Sequence, residues 1–355
     1  MSWTLPRQEG VRNKFPDGEY TAVIDGDWAV FTAAAAAETR SIKVIHKESG
    51  REKEFKTRTE FWGKRKARDG GWLEEANKKA KKPFTWEDFD IVDVQTPDPI
   101  ENTLHTVKLM IEGVLDNLET DKLKMFLGKG TSFREHVSTA LKYKGNRDGL
   151  IKPLQLQAVF EYVEKKYNAT IVTGIECDEA IVIEAYGKDD HVVCGVDKDA
   201  FSQEILAFNT SKPELGVVDC RGLGELRIEG KKPNELVKGH GFLHLMYQMC
   251  SGDTADNYKA NAMSCKRWGP KSAYKELVDC KSEKEAIEVA ITIFKKLYPE
   301  PKVMETWRGN EVLVTWYSMM EECYQMARMH HWVGDIRSLD WLMSEYGVEY
   351  TYGQT

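Results

Sequence analysis

The chain has 355 residues, 41% of them apolar, enough to bury a substantial core in one large domain or two smaller ones. Seven cysteines without a C-x-x-C pair fit core positions in a reducing compartment, and no apolar run approaches the ~20 residues of a membrane span or a signal peptide's pattern, so a soluble cytoplasmic protein is expected. The net charge of −7 argues against a protein that coats nucleic acid non-specifically, yet residues 43–82 carry fourteen Lys or Arg against seven Asp or Glu, so a phosphate-binding surface and an acidic cluster can coexist.

Residues 21–31 (TAVIDGDWAVF) open with an apolar run that ends at acidic residues and leads into the Ala-rich stretch 33–38, which predicts strand, loop, helix. Residues 41–62 alternate around Glu48-Ser49-Gly50 and predict a basic β-hairpin. Residues 63–99 are polar and interrupted, so residues 40 to about 100 read as an insertion. Helical periodicity returns over 103–118. Residues 124–127 predict a second buried strand, ahead of the basic loop 142–152 and a helix over 153–167. A strand at 169–172, an acidic helix start at 176–186 and a strong strand at 191–196 follow, the last ending in Asp197-Lys198-Asp199. This alternation implies an α/β fold, with a mainly parallel sheet flanked by helices. In such sheets active groups gather beyond the carboxyl ends of the strands, where Asp25, Asp197 and Asp199 fall. An edge hairpin is expected over 216–229. From Gly241 the chain reads as helical to its end, apart from a break near Pro299 and Pro301.

Four separated segments carry close-set acids: Asp25 and Asp27; Glu176, Asp178 and Glu179; Asp197 and Asp199; Asp253 and Asp256. Any one of them alone would be a solvated loop or a helix cap. Three of them fall where strands end or helices begin, so the fold would bring them together. Two carboxylates ~5 Å apart repel by roughly 3 kcal/mol at an effective dielectric near 20, so such a cluster calls for a divalent cation. Oxygen ligands without His or Cys suit Mg²⁺ or Mn²⁺ rather than zinc. Two such ions can activate a water and stabilise the departing oxygen of a phosphodiester.

GIECDEA (residues 174–180), VDKD (196–199) and GDTADNY (252–258) resemble, in order and spacing, the acidic motifs of the 5′-nuclease family. The opening VIDGDWAVF and the string LKYKGNR (141–147) look especially like the short 5′-to-3′ exonucleases of tailed phages. The likeness spans residues 20–30 and 120–280, about half of the chain. It implies a PIN-like nuclease domain over 1–240, with the basic insertion at about 40–100. A helix-three-turn-helix DNA-binding region over 241–300 and a helical extension over 301–355 would follow. By position, Asp25, Glu176, Asp178 and Glu179 would serve a first metal ion and Asp197, Asp199, Asp253 and Asp256 a second, with Asp27 a weaker candidate. Lys144 and Arg147 would stabilise charge on the scissile phosphate and Tyr143 would stack on a terminal base, with Lys142 and Lys129 also near DNA. Gly269, Lys271 and Ser272 open a helix that would grip duplex backbone through amides and a potassium ion. The implied substrate is duplex DNA with a 5′ end, extending to RNA–DNA hybrids and 5′ flaps, and a phage-encoded chain would act in the host cytoplasm.

Three features depart from the family pattern. Residues 126–130 (FLGKG) lack the acid that usually follows the second core strand, Glu179 replaces an aspartate, and about thirty residues between Arg147 and Asp178 are too few for a long helical arch. The last favours attack on a 5′ end over threading of flaps. Other signals are weaker: Gly128-Lys129-Gly130-Thr131 fails the P-loop pattern, His240 and His244 lack a third metal ligand, and His330 and His331 read as packing residues in a helix. The basic run 64–68 beside Trp62 and Trp72 suits nucleic-acid backbone or a solvated face. A PIN-type ribonuclease and a non-catalytic DNA-structure-binding protein are the competing readings, the first opposed by GDTADNY and the second raised by the acid missing at Gly128.

Overall fold

The computed structural model describes residues 19–64 and 70–350. In chain order its elements are β1 (Thr21–Asp25), α1 (Gly26–Ala36), β2 (Glu38–His46), β3 (Glu52–Phe55), α2 (Arg58–Trp62), α3 (Trp72–Asn77), β4 (Phe89–Pro97), α4 (Ile100–Leu118), β5 (Leu123–Ser132), α5 (Arg134–Val137), α6 (Leu156–Tyr167), β6 (Thr170–Gly174) and α7 (Cys177–Ala185). They continue with β7 (His191–Gly195), β8 (Leu206–Asn209), β9 (Val217–Asp219), β10 (Glu225–Glu229), β11 (Leu236–His240), α8 (Gly241–Ser251), α9 (Pro270–Leu277), α10 (Glu283–Leu297), β12 (Lys302–Glu305), β13 (Glu311–Val314), α11 (Trp316–Ala327) and α12 (Leu339–Glu345). Two compact units emerge: residues 30–108 with 151–162, and the rest of the chain. No helix among the described residues is long and apolar enough to cross a membrane.

The larger unit is built on a six-stranded sheet of order β6-β5-β1-β7-β8-β9, parallel except for β9. An α/β architecture with a mainly parallel sheet flanked by helices is therefore what the alternation encodes. The central strands are apolar runs because both faces are covered: Ala22, Val23 and Ile24 have no exposed surface, and Val192 to Cys194 are buried. Val23, Phe126, Ile181, Val182 and Val193 share one core cluster. The helices after Gly241 form a second one around Met246, Ile287, Phe294, Met320 and Leu342.

The smaller unit contains an antiparallel sheet of order β3-β2-β4 packed on aromatic residues, among them Phe55, Phe61, Phe89 and Trp72. The hairpin expected at 41–62 is present as β2 and β3, with 58–62 helical instead. The basic run falls largely on residues 65–68, outside the described residues.

Several expectations need correction. No loop separates β1 from α1, since the helix begins at Gly26, one residue after the strand ends. β4 and β8 are strands that the polar composition of one and the shortness of the other concealed. The expected 216–229 hairpin is two separate things: β9 closes the edge of the main sheet, and β10 pairs with β11. The region after Pro301 is not wholly helical, because β12 and β13 pair over it. His330 and His331 lie beyond the end of α11, though they do pack: His330 stacks on Phe133 at 4.5 Å and His331 on Tyr186 at 4.0 Å. Of the seven free cysteines six are buried, and Cys265 is exposed.

The abrupt turn from β1 into α1 needs Gly26. A Cβ there would lie 2.8 Å from Leu127 Cδ2 and closer still to the Phe126 carbonyl oxygen, which is backbone and cannot swing aside. Gly26→Ala is expected to cost about 1–3 kcal/mol as an overpacked site, read as a lower urea midpoint. An unchanged midpoint would show that β5 gives way.

Candidate metal centre

The carboxyl ends of the parallel strands carry the acids. Asp25 is the last residue of β1, Glu176 caps α7 just after β6, and Asp197 and Asp199 follow β7. Asp25 Oδ1 accepts the Trp28 N–H at 3.2 Å, so the start of α1 orients it. Asp27, in the first turn of α1, accepts the Gly128 N–H through both oxygens at 3.1 and 3.2 Å.

That contact leaves no room for a side chain at position 128. A Cβ at Gly128 would lie 2.6 Å from Asp27 Oδ2, so the space that a side chain at 128 would enter is filled by the Asp27 carboxylate. Asp27, Asp25 and Cys177 bring ligand atoms within 4.8 Å of one another. The thiol donates to the Phe126 carbonyl at 3.1 Å, and burial with the neighbouring Asp25 and Asp27 pushes its pKa well up.

A second group, Asp199, Asp253 and Asp256, also lies within 4.8 Å and could hold a metal ion. The loop bearing the last two closes on itself through paired backbone bonds between Asp253 and Tyr258, at 2.9 and 3.0 Å. Lys144 and Arg147 are brought alongside because the Lys144 N–H donates to the Asp256 carbonyl at 3.1 Å and Asn257 Nδ2 to the Lys142 carbonyl at 2.9 Å. Lys144 adopts a left-handed conformation, with φ of 50°. Its ammonium donates to Glu176 and stands 3.7 Å from Asp256, while Arg147 is 4.0 Å from the same carboxylate.

Crowding of like charges shows in the protonation equilibria. Burial and then Asp25 push the Asp27 carboxyl up to about 7. Burial among its neighbours and then Asp199 bring Asp197 to about 7, although its surface still meets water. Burial raises Asp256 to about 6 against the opposing pull of Lys144. Asp25 is raised mainly by burial, and Asp178 well above its ordinary value by burial and then Glu176. Glu176 is the exception: burial pushes it up, but Lys144 and Arg134 together hold it below the usual range.

Of the expected ligands, Glu176, Asp178, Glu179 and Asp197 belong to neither of these three-residue groups. Glu179 is fully buried, accepts the His330 N–H at 3.0 Å and stands 3.7 Å from Arg134, a packing role that belongs to neither ligand group. Tyr143 is buried, with its hydroxyl donating to Glu176, so it orients that carboxylate and cannot stack on a base. Lys142 pairs with Asp148 at 2.6 Å and Lys129 is exposed on β5. Gly269 caps α9, Lys271 pairs with Glu235 at 2.9 Å, and the Ser272 N–H turns to the Gly269 carbonyl at 3.0 Å. His240 precedes α8. His244 is buried and hydrogen-bonded, which removes the pair as a metal site.

Some contributors carried no sequence signal. Arg134 is buried and reaches Glu176 at 3.2 Å while donating to the Arg328 carbonyl at 2.8 Å. Lys198 donates to Asp199 at 2.6 Å and to Asp253. Gln248 donates to Asp199, Ser202 donates to Gln248, and His244 Nδ1 lies 2.7 Å from the Ser202 oxygen. The Ser202 proton is committed to Gln248, so His244 donates from Nδ1, and the relay ends on a fixed carboxylate. No family model matches the chain, and no curated protein matches it significantly.

Two outcomes follow from this geometry. Gly128→Asp alone is expected to weaken Mg²⁺ binding by about 10-fold or more through collision with Asp27. Adding Asp27→Ala should recover most of it, as measured by calorimetric titration; no recovery would show that the loss does not come from that collision. A protonated carboxyl cannot ligate, so a cation held by Asp27, Asp197 or Asp256 would have to displace their protons. These carboxyls are raised, so the cation-free fold loses their contribution as pH rises through about 6–7, while ligation strengthens over the same window. The Mg²⁺-induced rise in thermal midpoint should therefore grow between about pH 5.5 and 8. A rise independent of pH would contradict this assignment.

Proposed function

We propose that the chain is a metal-dependent 5′-to-3′ exodeoxyribonuclease of the 5′-nuclease type, hydrolysing phosphodiester bonds from the 5′ ends of duplex DNA. The observation that carries this reading is a pair of acidic groups, Asp25 with Asp27 and Asp199 with Asp253 and Asp256, borne by one parallel sheet and the loop beside it, with Glu176 and Asp256 bridged by Lys144 and Arg147 alongside. Crowded, partly protonated carboxylates with oxygen donors only fit hard divalent cations, Mg²⁺ or Mn²⁺. Two such ions would supply an activated water and charge stabilisation at the departing oxygen. Asp25, Asp27, Glu176 and Asp178 would hold the first, and Asp197, Asp199, Asp253 and Asp256 the second.

The residues of the chain do the rest. Lys144 and Arg147, held by the Asp256 loop, would meet the charge that develops on the scissile phosphate. Duplex would be gripped by α8, the turns over 252–269 and α9, a segment read as a helix-three-turn-helix, with Gly269, Lys271 and Ser272 at the helix start facing phosphate and a potassium ion. RNA–DNA hybrids and 5′ flaps are further substrates of this reading, and phage-type replication or recombination in a host cytoplasm is its setting.

Duplex DNA labelled at either end tests it. With Mg²⁺ the 5′ label should be released first as short product, and EDTA should stop release while the far-UV circular dichroism stays unchanged. Asp178→Ala and Asp197→Ala should fall below about a tenth of wild-type turnover while still binding DNA. Release from the 3′ end, or preference for RNA alone, would refute the assignment, and cleavage-free binding would favour a DNA-structure-binding protein. For Arg147→Ala the single-turnover rate should fall more than affinity does; the reverse would make it a positioning contact.

A further inference from the structure

The second acidic group already has a cation lodged in it. Lys198 Nζ lies 2.6 Å from Asp199 Oδ1 and donates as well to Asp253 Oδ2, so one ammonium spans two of the three carboxylates that could hold an ion there. A divalent cation entering that group would meet this positive charge. The lysine is not sealed in: its side chain is 43% exposed, and it also lines a groove of about 430 Å³ bounded by β10, β11, α8 and α9.

Three lysines, Lys198, Lys238 and Lys271, outnumber the two carboxylates of the lining, Glu235 and Asp253, a balance that suits a nucleic-acid phosphate. Lys238 and Lys271 line it beside Lys198, and Lys271 is already paired with Glu235. Leu236, 60% exposed, offers apolar surface for a base or sugar. Asp253 lines the groove too, so groove and acidic group share a wall. A phosphodiester entering there would compete with Asp199 and Asp253 for the same ammonium.

What stays behind when that ammonium moves is already braced. Asp199 keeps its bond from Gln248, itself held by Ser202, and Asp253 Oδ1 keeps the Ala255 N–H at 2.7 Å. The carboxylates would not need to reorganise in order to accept a cation.

We propose that Lys198 is a built-in counter-ion of the second metal group, and that a nucleic-acid phosphate in the β10–β11 groove draws it away, so that strand binding and loading of the second cation are coupled. This rests on the nuclease reading. The coupling is reciprocal by thermodynamic necessity: the strand tightens the cation by the same factor by which the cation tightens the strand. Lys198 is here a positioning residue, acting through Asp199 and Asp253.

The full chain, titrated with Mn²⁺ and followed by electron paramagnetic resonance, tests this without reference to turnover. The probe is a short duplex oligodeoxynucleotide with phosphorothioate linkages at its 5′ ends that slow hydrolysis. In wild type the weaker Mn²⁺ site should tighten when the probe is added, and probe affinity measured by fluorescence anisotropy should rise by the same factor with Mn²⁺. Lys198→Met should tighten the weaker site by about tenfold without the probe and remove the probe's effect. Lys198→Arg, which keeps the charge, should retain weak binding. Unchanged or weakened Mn²⁺ affinity in a folded Lys198→Met variant would overturn the counter-ion role, and should that variant fail to fold, a probe that binds wild type without altering Mn²⁺ affinity would overturn the coupling. If the probe did not bind at all while Lys198→Met still tightened Mn²⁺, the coupling would again fall, and the fault would lie with the nuclease reading rather than with the placement of Lys198.

Discussion

Desolvation, with mutual repulsion added to it, of carboxylates gathered at one edge of the parallel sheet is the constraint on the acidic site of the larger unit. Asp25, Asp27, Asp178, Asp197 and Asp256 all have raised pKa values, burial being the first cause in each case. A fold that gathers such groups must supply positive charge, protons or metal. This one supplies cations from three places in sequence: Arg134 behind Glu176, Lys144 between Glu176 and Asp256, and Lys198 between Asp199 and Asp253.

The same cations tie the site to the rest of the unit. Arg134 donates to the Met326 and Arg328 carbonyls, so the end of α11 helps hold the guanidinium that faces Glu176 and Glu179. The relay from His244 through Ser202 and Gln248 fixes Asp199 from α8. Burial keeps His244 neutral, with its pKa pushed down to about 3, which suits a donor in that chain. Helices far along the sequence from the sheet therefore set the direction of its acids, a role that outer partners of metal ligands commonly fill.

Gly128 and Asp27 show how closely a carboxylate and a strand can be fitted together. The Asp27 carboxylate comes from the first turn of α1 and lies against β5, and the glycine is what leaves room for it. Considered segment by segment, β5 carries no acid at this point. In space a carboxylate stands beside it.

By itself the sequence determined the parallel sheet, because β1 and β7 are near-continuous apolar runs that only a strand buried on both faces requires, and it determined which acids stand at strand ends. It was silent on β4, whose alternation is masked by Asp90, Asp93 and Gln95, and it misread residues 302–314, where a short hairpin leaves no long periodic pattern. Tertiary structure alone decided the direction each side chain takes. Tyr143 and Glu179 sit inside or beside the acidic motifs, yet a buried hydroxyl must find an acceptor and a buried carboxylate a donor, so one turns to Glu176 and the other to His330. Arg134, Lys198 and Gln248 became part of the site for the converse reason: crowded carboxylates draw in whatever donors the fold sets within reach, and reach is a property of space rather than of sequence spacing.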